Sequence, residues 1–185
     1  MTYYTSFKVR DGVSIRSINT RLAELDEAIG DANADAGGSL GALLTDVKAT
    51  TVDGGSASAA SWNTRTLNAE IDVNAIVTLS SNQFTPIAGT YIIYVVAPAK
   101  DVDLHKLRLY NVTQASTVIV GVIANAVNGD GLASVATLMH IFTADGADAY
   151  RIDHYTTTAQ ASDGLGEAQG DGLDEVYTQV LLIKI

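Results

Sequence analysis

The side chains in this chain best suited to chemistry are three histidines and several clustered carboxylates. In DVDLH the spacing of two puts Asp101, Asp103 and His105 on one face of a strand, where a divalent cation could bridge them. The competing reading, a polar strand entry just after Pro98 with solvated charges, is the stronger one. His154, in YRIDHY, follows apolar Ile152 at a spacing of two and reads as a partly buried structural histidine at or near a subunit contact. His140, in LMHIF, reads as a core or interface residue.

Hard-oxygen chemistry has two further places to look. The stretch SDGLGEAQGDGLDE (162–175) holds Asp163, Glu167 and Asp171, with Asp174 and Glu175, among glycines, and so could serve calcium. It lacks the EF-hand spacing, and its single copy does not make a nonapeptide calcium repeat. In DANADAGG (31–38) Asp31, Asn33 and Asp35 alternate, but the glycine and distant glutamate are misplaced. Acidic glycine loops are usually solvated turns, so no metal or cofactor is assigned, with Asp163, Glu167 and Asp171 as weak candidates only. Catalysis has little support. No G-x-S-x-G elbow is present, and paired carboxylates such as Asp174–Glu175 lie in loops without an apolar pocket. No glycine-rich phosphate loop joins a strand to a helix. The chain reads as a non-enzyme. Asn111-Val112-Thr113 fits a glycosylation sequon but reads as a plain strand end.

Composition narrows the partners. The 185 residues carry 11 Lys and Arg against 21 Asp and Glu, a net charge of −10, which argues against nucleic acid and anionic membranes. Cysteine is absent, so there are no disulfides or thiolates. No apolar run approaches the roughly 20 residues of a membrane helix. The start, MTYYTSFKVR, lacks the apolar core of a signal peptide.

The elements that must position these groups are mostly strands. Between Gly89 and Pro98 an apolar run, rich in β-branched and aromatic residues, is too short for a core helix. Tyr91, Ile93 and Val95 point one way and Ile92, Tyr94 and Val96 the other, so both faces need cover. A second sheet covers one face; a neighbouring subunit is expected on the other. Upstream, residues 1–13 read as an extended arm with Tyr3, Tyr4, Phe7 and Val9 apolar. Ile15, Ile18, Leu22, Leu25 and Ile29 then recur at spacings of three and four, a heptad seam for a short self-associating helix. Leu40, Leu43, Leu44 and Val47 suggest one or two more helical turns, and TTVDGGSASAAS (50–61) reads as linker. The expected organisation is therefore an anchor or stalk over 1–50, a linker over 51–60 and a β domain over 61–185. Within it strands are expected over 62–72, 75–79, 82–86, 90–97, 103–112, 116–126, 132–143, 148–157 and 174–185, a sandwich or jelly roll. The last of these, VYTQVLLIKI, reads as a central strand. Loops 128–131, 144–149 and 160–174 are expected to cluster at one end, where they could hydrogen-bond a glycan.

In order along the chain come SWNTRTLN (61–68), FTPIAGTYIIYVVAPA (84–99), HKLRLYNVT (105–113), YRIDHYTTT (150–158) and EVYTQVLLIKI (175–185). This series resembles the C-terminal knob domains of phage fibre proteins, which look like the C1q/TNF-type jelly roll. The most specific phrase is F-x-P-x-x-G-x-Y, at Phe84, Pro86, Gly89 and Tyr91. The resemblance covers roughly residues 56–185. It implies a mainly β antiparallel jelly-roll homotrimer on a virion surface; the arm and short α-helix read above precede it and are not part of the resemblance. Of the placements it allows, a capsid decoration (cement) protein or short head fibre fits best. Tyr3, Tyr4, Phe7 and Val9 would then anchor it to the major capsid protein, with Lys8 and Arg10 meeting acidic groups. The alternatives are a tail-fibre receptor-binding knob, for which a host-surface glycan would be the partner, and a C1q-like soluble binding module.

Overall fold

The computed structural model describes residues 20, 22–25 and 40–185. The chain divides into two units, Met1–Gly38 and Ser39–Ile185. In the first, residues 20 and 22–25 are helical, with Leu22 and Leu25 exposed. Ile15, Ile18 and Ile29 of the expected seam, and the arm residues Tyr3, Tyr4, Phe7 and Val9, lie outside the described residues.

The second unit is an antiparallel jelly-roll sandwich of two sheets. Its strands are β1 (Leu40–Lys48), β2 (Ser61–Thr64), β3 (Ala69–Ile71), β4 (Val77–Ser80), β5 (Gln83–Pro86), β6 (Gly89–Lys100), β7 (Asp103–Asn111), β8 (Ser116–Val120), β9 (Ala124–Ala126), β10 (Ala133–Ala144), β11 (Tyr150–Thr156) and β12 (Glu175–Lys184). One sheet has five strands in the order β10-β6-β12-β1-β3. The other has seven, β4-β5-β11-β7-β8, with β2 also pairing β11 and β9 pairing β7. β6 continues through Pro98 because its pairing with β12 has already ended at Val96, leaving an edge where proline is tolerated. The C-terminal strand β12 is central, third of the five.

Period-two alternation explains the core. Tyr91, Ile93 and Val95 of β6, Leu44 of β1, Val180 and Leu182 of β12, and Leu138 and Phe142 of β10 are buried. They share one core with Phe84, Leu107, Leu109, Tyr150 and Ile152 of the seven-stranded sheet. Four aromatic rings run in a chain through it. Tyr91 and Phe142 lie 5.8 Å apart, Phe142 and Tyr150 5.2 Å, and Tyr150 and Phe84 6.0 Å, in offset or edge-on geometries.

The domain starts earlier than the composition suggested. The patch read as helical turns is β1, paired with β12 on one side and β3 on the other. Its leucines mimic a helical period, but Ala42, Leu44 and Asp46 face inward while Leu43, Thr45 and Val47 face out. The stretch read as linker packs on the body as well. Gly54 N–H donates to Gly166 O at 2.8 Å and Ala57 N–H to Gln160 O at 2.8 Å. A Cβ on Gly54 would sit 2.5 Å from the Leu165 carbonyl oxygen, so the backbone approach itself requires glycine. The single strand expected over 62–72 is two, because the chain turns a corner there from β2 in one sheet to β3 in the other. The strand expected over 116–126 breaks likewise. Gly121 N–H bonds Leu107 O at 2.8 Å and Val122 N–H bonds Thr137 O at 3.1 Å, bridging the two sheets.

Candidate functional site

The outward side chains of the five-stranded sheet form the most distinctive surface of the body. The register aligns Met139, Tyr94, Leu181, Leu43 and Ile71 in one row across all five strands. Four of them are substantially exposed, Met139 at 74 %, Ile71 at 65 %, Tyr94 at 42 % and Leu181 at 37 %. A second row sets Ile141, Ile92, Ile183 and Gly41 side by side. A third sets Thr137, Val96, Gln179, Thr45 and Ala69. None of the fourteen positions in these rows carries a charge, in a chain of net charge −10. Leu43, Tyr94, Val96, Gln179 and Leu181 outline a shallow depression of about 290 Å³ at its centre. Leaving such a face in water is unfavourable, and apolar patches of this extent mark interaction sites.

Of the strand residues singled out from the sequence, Tyr91, Ile93 and Val95 lie in the sandwich core, and Tyr94 stands on the open face. Met139, Ile141, Leu181 and Ile71 were not singled out, and Leu43 was read as part of a helical turn. Their signal was the apolar residues at both parities of β10 and β12, and it becomes a surface only once register sets the rows side by side.

The polar candidates go elsewhere. Asp101, Asp103 and His105 do not converge. Asp101 accepts from Gly131 N–H at 2.9 Å, and Asp103 accepts from Asn128 N–H at 3.0 Å and from the Thr158 hydroxyl. His105 turns inward, where it meets His154 of β11, Nδ1 to Nε2 at 2.8 Å, and Ser134 Oγ at 2.7 Å. His154 is thus a core residue rather than one near the molecular surface. Arg65 is also buried, its Nε donating to Thr178 Oγ1 at 2.7 Å and its Nη1 to Pro98 O at 3.3 Å. Desolvation, helped by the Arg65 charge, lowers the His105 pKa to about 4 and pushes His154 well below its ordinary range. Desolvation likewise lowers Arg65 to about 10 and raises the Asp46 carboxyl on β1. His154 Nδ1, Arg65 Nη2 and both Asp46 oxygens have no hydrogen-bond partner among the described residues; Lys48 Nζ stands 3.5 Å from Asp46 Oδ1. This layer is a structural device of neutral histidines.

The acidic loop does not assemble a cation site. Lys100 Nζ binds Asp163 at 2.8 Å and Glu167 at 2.6 Å, so a cation already occupies the place between these two carboxylates. Asp171 accepts from Leu173 N–H at 3.0 Å. Among the described residues no three His, Asp or Glu side chains gather as metal ligands. The three loops expected at one end are split. Loop 144–149 enters β11 and loop 160–174 follows it, so the strand's length separates them. Loops 128–131 and 160–174 each bond to the turn at Lys100 and Asp101, through Lys100 N–H to Gly164 O and Gly131 N–H to Asp101.

No family model matches the chain, and no curated protein matches it. Solved structures do. The globular domain of the zebrafish complement 1qA protein superposes with a TM-score of 0.48 at 17 % identity, covering 80 % of this chain and 98 % of that one. Murine APRIL superposes with a TM-score of 0.50 at 12 % identity, covering 80 % of this chain and all of that one. At 12 % identity the likeness to APRIL is one of fold.

Proposed function

We propose that this protein is a non-enzymatic, self-associating display module, a homotrimer whose copies bury their five-stranded faces against one another. The observation that carries the reading is the uncharged row Met139–Tyr94–Leu181–Leu43–Ile71 on the open face. Three copies follow from the C1q/TNF-type resemblance of the strand series. Tyr94→Glu and Leu181→Glu would each place a charge in the buried contact without touching the sandwich core. Light scattering of the wild-type chain should give three times the chain mass, and the double variant should give a monomer with an unchanged far-UV spectrum. A wild-type monomer at micromolar concentration would overturn the reading.

The phage-knob resemblance leads us to place the trimer on a virion surface, as a capsid decoration protein or short head fibre. Tyr3, Tyr4, Phe7 and Val9 would dock on the major capsid protein. Gold labelling of virions tests this: label spread over heads supports it. Label confined to tails would favour the receptor-binding knob, and a free, ligand-binding trimer with no virion label would favour the soluble C1q-like module.

A further inference from the structure

The outer face of the seven-stranded sheet, on the other side of the sandwich, carries a ladder of cations and aromatic rings. Register sets Trp62 of β2 beside Tyr155 of β11, and Tyr155 beside Lys106 of β7. It also sets Asp153 beside Arg108 and Arg151 beside Tyr110. The Arg108 guanidinium lies 4.3 Å from the Trp62 ring centroid and 4.2 Å from that of Tyr110. Its Nε and Nη2 donate to Asp153 Oδ2 at 2.9 and 2.7 Å, and Nη1 to Thr117 Oγ1 at 3.1 Å. Every nitrogen of Arg108 is engaged, so it is a structural group.

Arg151 differs. Its Nε donates to Asp153 Oδ1 at 2.8 Å and its guanidinium lies 4.8 Å from the Tyr110 ring centroid, which fixes its plane. Its Nη1 and Nη2 have no partner among the described residues, and neither has the Lys106 ammonium. A guanidinium held by one edge with its outer fork open is preorganised for a carboxylate. Lys106 stands four residues away along the sheet, about 13 Å. Beside it a groove of about 180 Å³ is lined by Leu104, Ile123, Tyr155 and Thr157.

The charge of this face opposes that of the chain. The strands of the sheet carry Lys106, Arg108 and Arg151 against only Asp103 and Asp153. Both carboxylates are consumed, Asp153 by the two arginines and Thr64, and Asp103 by Asn128 and Thr158. What the face offers to solvent is positive, in a protein of net charge −10.

We propose that this face binds a carboxylated oligosaccharide. Arg151 takes one carboxylate through its open fork, Lys106 takes another further along the chain of sugars, and the sugar rings at the Lys106 end lie over Tyr155 and Trp62, which share its row. A sugar chain bears its acids at intervals and stacks its C–H faces on aromatic rings. An acidic peptide fits less well, because the main-chain groups at the middle of a sheet are already paired and leave its amides no partner. The face is distinct from the self-association face, so it stays available in an assembly built on the latter.

Titration calorimetry with a galacturonate hexasaccharide, against a neutral galactose hexasaccharide, tests the proposal. The acidic sugar should bind and the neutral one should give no heat. Lys106→Gln and Arg151→Lys should each weaken binding about tenfold. Lys106 has no partner among the described residues to lose, so its variant should melt like the wild type. Equal binding of both sugars, no binding of the acidic one at millimolar concentration, or an affinity unmoved by Lys106→Gln would each overturn the site. Tighter binding of polyglutamate than of the sugar would overturn the ligand class. Light scattering on the same samples reads self-association separately.

Discussion

The buried side chains His105 and His154 make stability depend on pH. Both are held neutral by burial first and by the Arg65 charge second. Above about pH 6.5 the pair is neutral in folded and unfolded chains alike and adds no pH dependence. Below that the unfolded chain takes up protons that the folded one resists, so stability falls as pH falls, until His105 titrates at about 4. For His105 alone the loss is ~3 kcal/mol over the whole window. Asp46 acts in the opposite sense, because burial raises its pKa and its protonation relieves the folded state. Asp163 and Glu175 are held low, by Lys100 and by backbone N–H groups respectively, and act only at more acidic pH. Urea unfolding should therefore show stability dropping between about pH 7 and pH 5, before ordinary carboxylates titrate. Equal stability at both would mean that the pair is not held neutral.

Among the elements, β1 decides where the folded body begins. It lies between β12 and β3 and contributes Leu44 and Ala42 to the core. Without it β12 would lose a neighbour along most of its length, and β3 its only strand partner among the described residues. A fragment starting at Ser39 should fold with cooperative thermal unfolding, whereas one starting at residue 56 should not. Losing Leu44 alone removes packing of about 2–5 kcal/mol, a large part of the stability of a domain this size. A cooperative melt of the shorter fragment would show that β1 is dispensable. Light scattering of the fragment from Ser39 also separates two sources of assembly. A trimer there would place it in the β body, and a monomer would return it to the seam at Ile15, Ile18, Leu22, Leu25 and Ile29.

At the scale of the whole molecule, self-association and folding are linked. If the face bearing Tyr94, Leu181 and Met139 is buried only in the oligomer, native assembly adds stability by mass action. The melting temperature of the full chain should then rise with protein concentration over the micromolar range, and that of the Tyr94→Glu, Leu181→Glu variant should not. Identical melting at all concentrations would uncouple the face from stability. The sandwich presents two chemically different faces, one uncharged and apolar, the other cationic and aromatic, and the two proposals use one each.

The chain's own pattern was enough for β4 to β7 and β10 to β12, because apolar residues of high β propensity are separated there by Gly, Asn and Asp turns, whereas β8 and β9 read as one strand. Alternation along β6 was equally legible, since side chains at i and i+2 share a face in any strand. It placed Tyr91, Ile93 and Val95 together and set Tyr94 opposite. β1 was not legible, because Leu40, Leu43, Leu44 and Val47 satisfy helical and strand periods at once, and only pairing with β12 chooses between them. Long-range pairing also decided the sites. His105 and His154 stand 49 residues apart and meet at 2.8 Å. Leu43, Tyr94, Met139 and Leu181 form a row only through the registers of three strand pairs. Arg151 is oriented by an Asp153 that also holds Arg108 from the neighbouring strand. Local propensity acts over a few residues, whereas a face or a buried pair depends on register between distant strands, which is set when the two sheets close on a common core.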